Sequence, residues 1–435
     1  MKTYDIAIIG GGFSGLMTLA HLAVRASAGT RIVIFEPAAR LGTGLAYATT
    51  HTCHLLNVNA GGMSAYPDQP AHLLEWLASP AGRDAARDLG VGESWSAADY
   101  IPRALYARYL AAISAAAQET ATARGVVIDH IRTTVGGIDA QNITVADGQV
   151  YQAARILLAL GNQAAVRDDR AHVVSDIFGF DFASMAGVDA PVAIIGNGLT
   201  MVDTVLALRH AGYRGNITGF SRRALLPHIH DETSYAYTSR APALAEKPQS
   251  LLRLMRAFRA EASDVVAACG SWQPVFKEWR PYLQTLWAGL SLRDKKRFLS
   301  SLFTLWNIHR HRMAGQIGAV VADELSRGTL TLAKATPVLT AVDGGVKVDG
   351  GGQSFVAAKV FDCRGPGYDV TRTANPLLQS MLATGMISPH PTGWGIMTGG
   401  QVDAIGTLLV GERLETTAVP ELRGQAQEAA IRLCS

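Results

Sequence analysis

Three glycines at Gly10, Gly12 and Gly15, followed by an acid at Glu36, carry the clearest chemistry in this chain. At G-x-G-x-x-G spacing the first glycine permits a tight turn and the second lets a pyrophosphate approach the backbone. The third lets a helix pack closely on a strand. With Phe13 and Ser14 between them, these residues place phosphate at a helix N-terminus, where unpaired N–H groups and the macrodipole favour negative charge. Glu36 lies about 20 residues further on, where an acid bonds a ribose hydroxyl. A second set begins at Gly196 and Gly198, continues through Leu199 and Thr200, and has Met201 where a third glycine would stand. The replacement predicts a helix standing slightly farther from its sheet. Its strand-end partner is Ser221-Arg222-Arg223 rather than an acid. Arginine at that position accommodates a 2′-phosphate, and its planar fork matches phosphate geometry; the other reading is a solvated basic turn.

The elements that must hold these residues are legible around them. Asp5–Ile9 and Val192–Ile195 read as buried parallel strands, and Leu16–Leu22 and Val202–His210 as the helices that follow the two loops. Arg31–Phe35 and Ile217–Phe220 are the next strands. Helical periodicity recurs at His72–Leu77 and Pro102–Thr122. Val126–Gly161 reads as a β-meander closing on a parallel strand, and the same pattern returns from Thr329 to Gly365. A mostly helical insertion over about 240–325 lies between, carrying Trp272, Trp279, Trp287 and Trp306. Thr407–Gly411 reads as a further parallel strand, and Ala418–Glu421 opens a last helix whose N-terminus would face a flavin ring. The expected fold is α/β, with two Rossmann-like dinucleotide-binding domains. One is discontinuous, over 1–165 and 330–435, for FAD; the other spans 166–329, for NADPH. Two such sites in one chain suit a flavoprotein reduced by a nicotinamide cofactor.

At 435 residues, 48% hydrophobic and 17% charged, the chain can bury two cores. A net charge of +3 argues against bulk nucleic-acid binding. No apolar run reaches the length of a membrane span. Cys53, Cys269, Cys363 and Cys434 form no C-x-x-C pair, which suits unpaired thiols in a reducing compartment and a cytoplasmic location.

The chain resembles a group of FAD- and NAD(P)-binding flavoproteins through Gly10–Gly15, Gly42–Tyr47, Leu55–Val58 with Met63 and Ser64, Gly198–Asp203, Ser221–Arg223, His309–Met313 and Thr417–Gly424. Members with an assigned activity are single-component monooxygenases, among them urate hydroxylases and enzymes that N-hydroxylate aspartate. The resemblance implies FAD, NADPH and O₂, with oxygen transfer to a small polar nitrogen-containing substrate through a C4a-(hydro)peroxyflavin. It extends the expected FAD contacts to Gly44, Met63, Ser64, Gly161, Gly411, Thr417 and Val419. Asn57 is the candidate catalytic group, bonding the nicotinamide, the flavin or the peroxide. His309 and Arg312, with Arg310, are candidates for an anionic substrate, and solvation of a helix end accounts for the same residues. The pairs His228/His230 and His309/His311 lack further ligands at metal spacing, so no metal is expected. A disulfide reductase shares the architecture but needs a cysteine pair near the flavin. An NADPH-dependent oxidase or acceptor reductase needs none and stays open, whereas a non-catalytic flavin sensor leaves the second site without a purpose.

Overall fold

The computed structural model describes residues 2–163, 168 and 170–435. Two compact units emerge: Met1–Thr52, Val58–Val166 and Pro366–Ser435 form the first, and Cys53–Asn57 with Arg167–Gly365 form the second.

The first unit is built on β1 (Lys2–Ile9), α1 (Phe13–Arg25) and β2 (Arg31–Phe35). Ile6, Ala7, Ile8 and Ile9 are each at most 3% exposed, as an unbroken apolar run requires when both faces of a sheet are covered. Helices α2 (His72–Ala78), α3 (Pro80–Asp88) and α4 (Arg103–Ala123) follow. Then come β3 (Val127–Ile131), β4 (Val135–Asp139), β5 (Asn142–Val145) and β6 (Val150–Leu158). The sheet order is β3-β2-β1-β6-β5-β4. β6 serves two purposes: its first half pairs antiparallel with β5, and its second half pairs parallel with Val402–Ala404. The last helix, Val419–Cys434, packs with α4 against α1.

The second unit has the order β10-β9-β8-β14-β7. Its members are β7 (Val173–Val174), β8 (Val192–Ile195), β9 (Ile217–Ser221), β10 (Leu330–Lys334) and β14 (Val360–Asp362), all paired in parallel. Helix α5 (Leu199–His210) connects β8 to β9. The meander β11 (Val338–Val342), β12 (Gly345–Gly350) and β13 (Gln353–Ala357) forms a separate antiparallel sheet. Helices occupy most of Ala241–Ser326.

Two expectations are corrected. Residues 330–365 do not return to the first domain, because β10 adds to β9 and β14 to β8, and the second core closes only at Gly365. The expected boundary at 165/166 itself lies outside the described residues. Nor is Thr407–Gly411 a strand. The strand is Val402–Ala404, and Gly406, with φ +78°, starts a 3₁₀ turn over Gly406–Leu409. The Thr407 hydroxyl then donates to the Gly161 carbonyl, so the apolar run is buried as a turn.

Candidate cofactor and substrate sites

In the first unit Gly10 has φ +101° and its N–H donates to Phe35 O at 2.9 Å. A Cβ there would lie 2.5 Å from Ala159 O, and one on Gly15 would lie 2.0 Å from Gly10 O. Neither position admits a side chain. Gly12 and Gly44 face each other: a Cβ on Gly12 would be 3.4 Å from Gly44 Cα, and Gly42 N–H donates to Gly11 O at 2.7 Å. The Gly42–Gly44 turn therefore closes on the fingerprint loop, a pairing that loop composition left open. No side chain caps α1 at Gly12, which leaves its first-turn N–H groups to a ligand. Glu36 Oε2 accepts from Gly11 N–H at 2.8 Å and Oε1 from Ala38 N–H at 3.0 Å.

The other expected FAD contacts scatter in character. Phe13 is buried and Ser14 half-buried at the start of α1. Met63 and Ser64 are buried, and the Ser64 hydroxyl donates to Gln69 O at 2.6 Å. Gly161, with φ +64°, offers its carbonyl to Thr407. A Cβ on Gly411 would lie 2.3 Å from Trp394 O, so that glycine answers to packing. Thr417 is exposed, and Val419 opens the last helix, which no side chain caps. Gly406, which sequence reasoning did not single out, brings this segment to α1: its Cβ would stand 3.9 Å from Ser14 Oγ. A cavity lined by Gln163, Tyr368, Thr373, Gly395, Thr407 and Leu408 opens in the same unit, with Tyr368 stacked on Trp394 at 4.6 Å between ring centres.

The second unit repeats the turn. Gly196 also has φ +101°, donates to Phe220 O at 2.8 Å, and would place a Cβ 2.6 Å from Cys363 O. Around Gly198, by contrast, a Cβ would meet nothing within 4 Å. Leu199 and Thr200 form the first turn of α5, again without a side-chain cap, and Met201 is fully buried in the second core. Ser221 Oγ accepts from Ala224 N–H at 2.9 Å. Arg222 and Arg223 are exposed, and Arg223 donates to Ser301 O at 3.2 Å.

Asn57 falls in the second unit, where its carbonyl accepts from His230 Nε2 at 3.0 Å. His54 Nε2 holds the same short segment by donating to Asp203 O at 3.1 Å. Burial, reinforced by Arg312, pushes His230 down to about 4; burial, then Arg310, pushes His311 down to about 3. Both are neutral imidazoles at pH 7. His309 and Arg312, the two expected substrate residues, meet around Trp272. The His309 ring centre lies 5.0 Å from it and the Arg312 guanidinium 5.6 Å over its face. His228 completes the group, 4.4 Å from His309 between ring centres, and Arg312 donates to Gln273 Oε1.

Residues 7–163 match a family model described as FAD-NAD(P)-binding. Among solved structures, the reduced ornithine hydroxylase of Pseudomonas aeruginosa aligns with a TM-score of 0.65 at 14% identity, over 99% of each chain. This is the fold of FAD- and NAD(P)-linked flavoproteins. The ornithine N-hydroxylase of Kutzneria sp. 744, with reduced FAD, NADP⁺ and L-ornithine, gives 0.61 at 12% identity over 99% of each chain. The bacillithiol disulfide reductase of Bacillus cereus gives 0.52 at 13% identity, over 100% of this chain and 99% of that one. No curated protein sequence matches the chain. At these identities the likeness is one of fold, shared by hydroxylases and disulfide reductases alike.

Proposed function

We propose that the protein is an FAD-dependent, NADPH-using monooxygenase acting on a small polar nitrogen-containing substrate, an amino-acid amine or a urate-like ring. The observation that carries the reading is one turn built twice with opposite charge at its strand end. Gly10 and Gly196 share φ +101° and the same donor bond to the neighbouring strand, yet one turn faces Glu36 and the other Ser221-Arg222-Arg223. A carboxylate suits the free ribose of FAD, and two arginines suit a 2′-phosphate. Support for both assignments comes from the Gly10 and Gly15 positions, where a Cβ would clash with backbone, and from two helix N-termini that no side chain caps.

Bound FAD supplies the electron transfer and oxygen activation that no side chain here provides. The chain's own part is to bind, orient and desolvate. Arg312, with His309 and Trp272, offers a charged and aromatic surface to an anionic substrate. Thiol chemistry is disfavoured by the cysteines. Burial pushes the Cys363 thiol far up and Cys53 up to about 11, so neither supplies a thiolate at neutral pH.

Purified protein should oxidise NADPH under ¹⁸O₂ in step with a labelled product when ornithine, aspartate, urate and related amines are screened. NADPH oxidation matched by H₂O₂, with no label in any organic product, would assign an NADPH oxidase instead.

A further inference from the structure

We propose that the Asn197 amide binds the adenosine ribose of the nicotinamide dinucleotide, the task Glu36 performs in the first unit, and that its neutrality admits the 2′-phosphate. This rests on the NADPH reading above and adds the group that recognises the ribose. Ile9 pairs with Phe35, and Ile195 with Phe220. Asn197 therefore corresponds to Gly11, Ser221 to Glu36 and Gly219 to Ile34.

The first unit shows where a side chain at this loop position points. A Cβ on Gly11 would meet Leu41 Cδ2 at 2.6 Å and Glu36 Cβ and Cγ at 2.7 and 2.8 Å, the space beside the strand-end acid. The second unit puts the larger residue in the loop, opposite a serine at the strand end, and the amide reaches back over the strand: a Cβ on Gly219, the counterpart of Ile34, would lie 3.0 Å from Asn197 Oδ1. Asn197 is 5% exposed, and neither Oδ1 nor Nδ2 has a hydrogen-bond partner among the described residues. Ser221 does not serve it: its hydroxyl accepts from Ala224 N–H and makes no bond to the amide. A buried amide unbonded at both ends is uncommon and calls for a partner. Beside an uncapped helix N-terminus in a dinucleotide loop, that partner is the ligand. An amide both accepts from and donates to a ribose hydroxyl. Unlike a carboxylate it does not repel a phosphate on the next carbon, and its N–H₂ also donates to it.

The test is calorimetric titration of FAD-loaded protein with 2′,5′-ADP and with 5′-AMP, which needs no turnover. Wild type should bind 2′,5′-ADP at least about tenfold more tightly than 5′-AMP. Asn197→Ala should weaken both probes by about tenfold and leave their ratio, because the ribose contact is common to both. Asn197→Asp should cut 2′,5′-ADP by a further tenfold or so while sparing 5′-AMP. Since Asn197→Ala removes no protein hydrogen bond, its melting temperature should stay close to wild type, which keeps that arm readable even where the aspartate variant is unstable. Wild-type affinity for both probes in the folded alanine variant overturns the proposal and leaves the NADPH reading standing. No binding of either probe by wild type overturns both.

Discussion

Both oxygens of Glu36 are engaged by backbone N–H groups, from Gly11 at 2.8 Å and Ala38 at 3.0 Å, so the carboxylate stands oriented before any ribose arrives. Glu36→Ala should lose a charge-assisted contact of about 1.5–3 kcal/mol. Flavin would then elute separately from the protein on gel filtration, and retention at wild-type strength would remove Glu36 from the FAD site. At the other strand end the arginines are unequal. Both are exposed, but Arg223 is tied to Ser301 O. Arg222→Ala should therefore raise the KM for NADPH by about tenfold and leave NADH nearly unchanged, one charged hydrogen bond being worth about that factor. The ratio of the two KM values checks this. A wild type that uses NADH as readily as NADPH would reduce the pair to a solvated turn.

At the scale of elements, the strand-to-helix turns leave little freedom. A Cβ on Gly15 would sit 2.0 Å from Gly10 O, a backbone atom that cannot swing away. Gly15→Ala should force α1 off β1 and cost about 1–3 kcal/mol, with weakened FAD retention. Thermal melts with and without added FAD would show it, and an unchanged melting temperature would mean that the turn can relax. Helix α5 has a different anchor, the Arg209–Glu324 pair, with Nη2 2.6 Å from Oε2 and side chains only 13% and 11% exposed. Burial opposes ionisation of Glu324, but hydrogen bonds from Arg209 and Thr329 outweigh it and hold the carboxyl below its usual range. Arg209→Met would leave that carboxylate buried and unmatched. A loss of about 3 kcal/mol in denaturant unfolding is expected.

For the whole molecule two half-buried histidines add to the acid sensitivity. His230 and His311 sit at about 4 and about 3, below the ordinary value of 6.5. The unfolded chain takes up protons from about pH 6.5 downward while the folded one does not. Their contribution is thus intact above pH 6.5 and is lost as pH falls toward 4 and then 3, by about 1.4 kcal/mol per pH unit for each histidine. Melting temperatures between pH 7.5 and 4.5 should fall less steeply for His311→Gln than for wild type. Equal slopes would place the acid sensitivity elsewhere.

The turns at Gly10 and Gly196, the strands flanking them and the opposed residues Glu36 and Ser221–Arg223 were legible in the sequence. Each depends on backbone geometry and burial that a few neighbouring residues dictate. The partition of the chain was not. Whether Leu330–Lys334 joins the first sheet or the second depends on which edge accepts it, and that edge, β9, lies more than a hundred residues earlier. The apolar run Thr407–Gly411 became a turn because Gly406 takes positive φ and Thr407 finds the distant Gly161 carbonyl. Hydrophobicity reports that such a run is buried and is silent on its shape. Ser64 and Gly411 also have local roles that the sequence did not show: the Ser64 hydroxyl bonds Gln69 O, and a Cβ on Gly411 would meet Trp394 O. Asn197 gave no local signal. Its isolation is visible only once β9 and α5 close around the amide and leave it without a partner.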